Sequence, residues 1–160
     1  MARSRYVITE PDKPHFLTCT AMEWLPVFTC PETVDILLES WRYQRENVGL
    51  RLYGYVILEN HIHFVAQAER LDKCLSSFKA YTARRILNRL EEDRAEHLLT
   101  RLRFSKLAHK PDREYQFWQD GSHAELVFSD AMMREKLDYI EAPRGLPRGM
   151  RSLCMFMQTR

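Results

Sequence analysis

The chain has 160 residues and a mass of 19.1 kDa, with 45% hydrophobic and 29% charged residues, which suits one compact domain and excludes a large multi-domain machine. It contains no apolar run long enough to span a bilayer and no apolar leader of secretory type, so a soluble, cytoplasmic protein is expected, with no membrane partner. The net charge of +2 conceals an uneven distribution: 79–113 carries +5 and 144–160 adds four arginines, whereas 1–78 carries −2 and 114–143 carries −5.

Residues 15–22, short and rich in β-favouring types after Pro11 and Pro14, read as a first strand. Pro31 then opens a helix to about residue 48, in which Val34, Leu37, Leu38 and Trp41 recur at helical spacing. Residues 50–58 and 61–67 form two strands separated by Glu59-Asn60, which makes them a tight hairpin. A basic amphipathic helix follows over 71–90, with Leu75, Phe78, Thr82, Ile86 and Leu90 near one face. The weakly periodic stretch 94–110 fits either more helix or a long connection. A last strand is expected at 125–128, and Ser129-Asp130 caps a helix carrying Met133, Leu137 and Ile140 on one side until Pro143. The order of these elements predicts an α+β fold with an antiparallel, ferredoxin-like sheet over 1–143, followed by an irregular basic tail over 144–160. The four cysteines have neither metal-ligand nor disulfide-scaffold spacing and read as reduced packing thiols.

The sharpest local feature is Asn60-His61-Ile62-His63-Phe64. Alternate residues of a strand share a face, so His61 and His63 project together while Ile62 and Phe64 turn into apolar packing. Two imidazoles on one face can ligate one divalent cation, although the same pattern also occurs on strands without a metal role. A phenolate is the second ingredient for phosphoryl chemistry, because it can attack phosphorus and stay linked to it. Tyr139 on the last helix and Tyr81 on the basic helix both qualify, and periodicity does not choose between them. Lys79, Arg84, Arg85, Arg89, Arg101 and Arg103 could form a phosphate track, with Trp118 or Phe117 as a stacking face, or could be an ordinary solvated face and core aromatics.

Four landmarks in order, Asn60-His61-Ile62-His63-Phe64, Phe78-Lys79-Ala80-Tyr81-Thr82-Ala83-Arg84-Arg85-Ile86, Phe117-Trp118-Gln119-Asp120-Gly121 and Lys136-Leu137-Asp138-Tyr139-Ile140, resemble those of the single-tyrosine HUH transposases. Within that family the chain is most similar to the transposases associated with repetitive extragenic palindromes. The resemblance implies an enzyme of HUH endonuclease type that cuts and rejoins single-stranded DNA near hairpins, with a homodimer left open. It implies Mg²⁺ or Mn²⁺ on His61 and His63, Tyr139 as nucleophile rather than Tyr81, a 5′-phosphotyrosine intermediate and a free 3′ hydroxyl. Asn60 would orient the histidine strand. The family places an Asn or Gln one helical turn after the tyrosine as third ligand, whereas Pro143 stands there in this chain. The alternatives are a DNA-binding protein that keeps the fold without strand transfer, and a metal-binding domain without a DNA partner.

Overall fold

A computed structural model of the protein describes residues 7–106 and 114–142, together with the backbone of Leu153–Met155. The chain runs through β1 (His15–Thr20), α1 (Pro31–Asn47), β2 (Arg51–Ile57), β3 (His61–Gln67), α2 (Leu71–Glu92), α3 (Glu96–Phe104), β4 (His123–Leu126), α4 (Asp130–Glu141) and β5 (Leu153–Met155). The strands pair antiparallel in the order β4-β1-β3-β2-β5, which is the expected α+β, ferredoxin-like arrangement with one added edge strand. That edge strand falls inside the tail expected to be irregular. The stretch 107–113, the start of the chain, Pro143 and most of the tail lie outside the described residues.

Alternation along β3 divides the molecule into two layers of packing. Ile62, Phe64 and Ala66 face α1 and α2 in the larger core, whereas Val65 joins Phe16, Val56, Leu58, Val127 and Ile140 in a smaller cluster beneath α4. In α1, Pro31 starts the helix at a position whose N–H has no intrahelical acceptor, and Val34, Leu37, Trp41 and Gln44 form its buried stripe. The Trp41 ring stacks on Phe78 of α2 at 5.2 Å, and the Gln44 side-chain amide donates to the Cys74 carbonyl at 2.8 Å. Gly49 takes a φ of +77° just past α1, a left-handed position that a glycine occupies without a Cβ clash. Of the four cysteines, Cys19 and Cys74 are buried free thiols and Cys30 is a half-buried one.

Three differences from the sequence-based expectation affect the site. The strand expected at 125–128 lies two residues earlier, at His123–Leu126; Val127 instead closes onto the Pro14 carbonyl, and Phe128 is exposed. The first strand ends at Thr20 because Ala21 bridges to Trp118, after which Met22–Trp24 makes a tight turn. The undecided stretch after α2 contains the helix α3, whose Arg101 pairs with Glu23 of that turn.

The approach of α4 to the sheet depends on Gly54 in β2, where a Cβ would lie 2.9 Å from a methyl group of Leu137. Gly54→Val should therefore push Leu137 and α4 outward and destabilise the fold by about 1–3 kcal/mol, read by urea unfolding. An unchanged midpoint would show that α4 does not pack this closely.

Candidate active site

The pleat places both histidines of β3 on the α4 side of the sheet, with ring centroids 4.8 Å apart. His63 lies in the same cross-strand row as Thr18 of β1 and His123 of β4, so the three side chains share that face. Its Nδ1 is 2.8 Å from the Thr18 hydroxyl, and its ring stacks on Phe16 at 5.5 Å. His61, half-buried near the start of the same strand, has its Nδ1 2.6 Å from Oδ1 of Asn60. The Asn60 amide nitrogen donates to the Trp24 carbonyl at 3.3 Å, which fixes the amide orientation. Its Oδ1 can then only accept, so Nδ1 of His61 carries the proton and Nε2 keeps its lone pair.

Burial also keeps these rings neutral. It pushes His63 down to about 4, helped by the nearby imidazoles of His61 and His123, and it lowers His61 as well. A neutral imidazole that donates through Nδ1 keeps its Nε2 lone pair for a metal, the form that Asn60 imposes on His61 and that His63 takes when its Nδ1–H donates to the Thr18 hydroxyl. The donor set thus fits a divalent cation as a two-nitrogen site. Among the described residues no three His, Cys, Asp or Glu side chains converge closely enough to hold a metal.

Tyr139 reaches this site from α4. Ser129 caps that helix by accepting from the Met132 N–H, and Ile140 anchors it in the smaller core. The preceding residue along the helix, Tyr139, therefore sits at the margin of the apolar stripe. Its ring lies edge-on to His63 at 5.5 Å and to Phe16 at 5.9 Å, and 36% of the residue is exposed. An open cleft of about 570 Å³, lined by Phe16, Glu135, Lys136, Asp138, Tyr139 and Ala142, runs along the phenol. In its wall Lys136 pairs with Glu125 at 2.8 Å and lies over the Phe16 ring at 5.2 Å.

The other tyrosine candidate is on the wrong side. Tyr81 belongs to α2, which packs on the opposite face of the sheet, and its hydroxyl accepts from Arg85. The sequence-predicted stacking faces are also displaced from that role: Trp118 and Phe117 are core residues at 6% and 2% exposure, and the Trp118 indole donates to the Thr82 hydroxyl. The basic residues are not gathered around the histidines. Lys79 donates to the carbonyls of Gln119 and Gly121, Arg89 pairs with Asp93, Arg101 with Glu23, and Arg103 with Glu114. Arg84 lines a cleft of about 670 Å³ between α2 and 114–120, away from Tyr139. Lys79, Arg101 and Arg103 are held by partners distant in sequence, whereas Arg85 and Arg89 bond within their own helix.

Thr18, Phe16 and Trp24 were not singled out from the sequence. Thr18 becomes visible once the β1–β3 register is known, because it pairs directly with His63. Nothing in the residue pattern marks Trp24, whose ring stands 5.5 Å from His61.

No protein-family model and no curated protein matches the chain. Its structure is similar to that of a REP-associated tyrosine transposase bound to a REP hairpin, with a TM-score of 0.52 and 14% identity over 87% of this chain and 68% of that one. It is also similar to that of a transposase candidate from Deinococcus radiodurans R1, with a TM-score of 0.49 and 17% identity over 88% of this chain and 96% of that one. The fold is thus the one on which the REP-associated tyrosine transposase is built, in agreement with the family resemblance of the sequence motifs. No helix among the described residues is long and apolar enough to cross a membrane.

Proposed function

We propose that the protein is a transposase-like transesterase that cuts and rejoins single-stranded DNA beside a hairpin, with Tyr139 as nucleophile. The observation that carries this reading is the convergence of His61, His63 and Tyr139 on one face, with ring separations of 4.8 and 5.5 Å. The phenol oxygen forms a bond to phosphorus as it gives up its proton to solvent, and the bond from phosphorus to the 3′ oxygen breaks, that oxygen taking up a proton in turn. The products are a 5′-phosphotyrosyl link and a free 3′ hydroxyl, and attack by a 3′ hydroxyl reverses the step. His61 and His63 would hold Mg²⁺ or Mn²⁺, which when bound polarises the scissile phosphate. Asn60 and Thr18 fix the orientation of the two rings, and Phe16 supports both His63 and Tyr139. A hairpin with single-stranded flanks is the proposed substrate because the REP-associated neighbour is bound to a REP hairpin.

The direct test incubates the full chain with a labelled single-stranded hairpin oligonucleotide and Mn²⁺, then resolves the products under denaturing conditions. A covalent protein–DNA adduct that EDTA prevents is expected. DNA binding without an adduct would favour the second reading, a binding protein that has lost strand transfer, which the proline at position 143 of the sequence, where the family resemblance calls for Asn or Gln, speaks for. No binding at all would contradict both.

Thr18→Val keeps the shape of the side chain but removes the partner of the His63 Nδ1. It should lower the apparent Mn²⁺ affinity in the cleavage assay by about 10–100-fold, the range seen for such outer partners. An unchanged Mn²⁺ titration would show that the hydroxyl does not hold the ring.

A further inference from the structure

The turn between β1 and α1 places an aromatic ring beside the candidate site by an unusual backbone route. Glu23 and Trp24 both take a left-handed φ, +52° and +56°, in a segment with no glycine. Such angles are rare for bulky residues and persist only where neighbouring contacts impose them. Here the Met22 N–H donates to the Phe117 carbonyl at 2.8 Å, the Trp24 N–H to the Ala21 carbonyl at 3.1 Å, and Asn60 to the Trp24 carbonyl. The Glu23 carboxylate receives the Arg101 guanidinium, with Nε at 2.8 Å, and the Ser105 hydroxyl.

All this holding presents a side chain that does not serve the core. Trp24 is 58% exposed, whereas Trp41 and Trp118 are buried at 2% and 6%. Its ring stands at 73° to that of His61 with centroids 5.5 Å apart, so this contact takes at most one face of the indole, and the 58% exposure leaves the remainder open to another planar group.

We propose that Trp24 is a stacking platform for an unpaired nucleobase next to the scissile phosphate, with the Glu23–Arg101 pair as its positioning device. This rests on the transesterase reading, because that reading puts the phosphate at His61 and His63, and a base attached to an adjoining sugar is the planar group that follows it. A duplex keeps its bases stacked on one another, so the platform selects single strands. Arg101 then acts through the turn rather than as a member of a phosphate track.

Because the other two tryptophans are buried beyond a base's reach, the change in indole emission on adding DNA, less the change in Trp24→Ala, reports on this site. The full chain is titrated with a short single strand containing the cleaved junction, and with copies carrying one abasic site at successive positions around it. The adduct assay is run in parallel on the same samples. The wild type should show quenching, lost together with roughly five- to hundredfold in affinity when the abasic site removes the stacked base. Trp24→Ala should show the same loss on the intact strand, Trp24→Tyr should retain most of the affinity, and binding of a blunt hairpin should not change. Glu23→Ala separates positioning from charge: loss of an acid alone would tighten DNA binding, whereas release of the turn weakens it. Adduct formation by wild type and Trp24→Ala with equal strand affinity would overturn the stacking role while leaving the transesterase reading intact. A dimer that dissociates in Trp24→Ala, with no change in DNA affinity, would also overturn it and assign the ring to a contact between copies. Absence of any adduct with wild type, alongside Trp24-dependent quenching, would strike the chemistry and keep the stacking platform.

Discussion

Tyr139→Phe is expected to abolish the covalent adduct and to lower strand cleavage by at least about 10³-fold, while hairpin affinity stays within a few fold. The substitution removes one oxygen and leaves the ring that packs edge-on against Phe16 and His63, so α4 should keep its place. Loss of a nucleophile leaves only what binding and electrostatic stabilisation provide, which is why a drop of this size is expected. Tyr81→Phe should have no such effect, because Tyr81 stands on α2 behind the sheet and bonds Arg85. Cleavage that survives Tyr139→Phe and fails in Tyr81→Phe, measured on denaturing gels, would reverse the assignment.

His61→Ala is expected to reduce Mn²⁺-dependent cleavage by about 10²-fold or more, exceeding the loss from Thr18→Val because a donor rather than its support is removed. His61 is half-buried at the margin of the sheet, so the variant should fold. His63→Ala should match it in activity but also lose stability, since His63 is 8% exposed and stacked on Phe16. The two variants separate metal binding from packing: thermal unfolding should change markedly in His63→Ala alone. Wild-type cleavage by His61→Ala at limiting Mn²⁺ would contradict the two-histidine site.

The parts of this site that the sequence discloses are those governed by local periodicity. Alternation in 61–67 puts His61 and His63 together, and the helical spacing of Met133, Leu137 and Ile140 sets the packed face of α4. Which helix covers which face of the sheet is a tertiary property, so periodicity leaves Tyr139 and Tyr81 equal and, within the sequence, only the family resemblance of the motifs points to Tyr139. The same limit explains the basic residues. Arg101 reads as a phosphate ligand along the chain, yet its partner Glu23 is 78 residues away. Trp118 reads along the chain as either a stacking ring or a core aromatic, and the Ala21 bridge and the Thr82 hydroxyl hold it in the core. The left-handed turn at Trp24 has no residue signature, because neither Glu nor Trp favours that conformation.

The histidine pair also shows how little sequence is needed to orient an imidazole. Asn60 immediately precedes His61 and already supplies its hydrogen-bond acceptor, whereas Thr18 reaches His63 through strand pairing. One ring is oriented by a neighbour in sequence and the other by the sheet.

The central claim is that a phenol on α4 becomes joined to DNA at the face carrying the two imidazoles. It is tested most directly by forming the adduct with Mn²⁺, digesting it with trypsin and nuclease, and finding the peptide that retains a nucleotide by mass spectrometry. The nucleotide should be found on peptide 137–144, attached to Tyr139; its presence on 80–84, or an adduct with no modified tyrosine, would contradict the account.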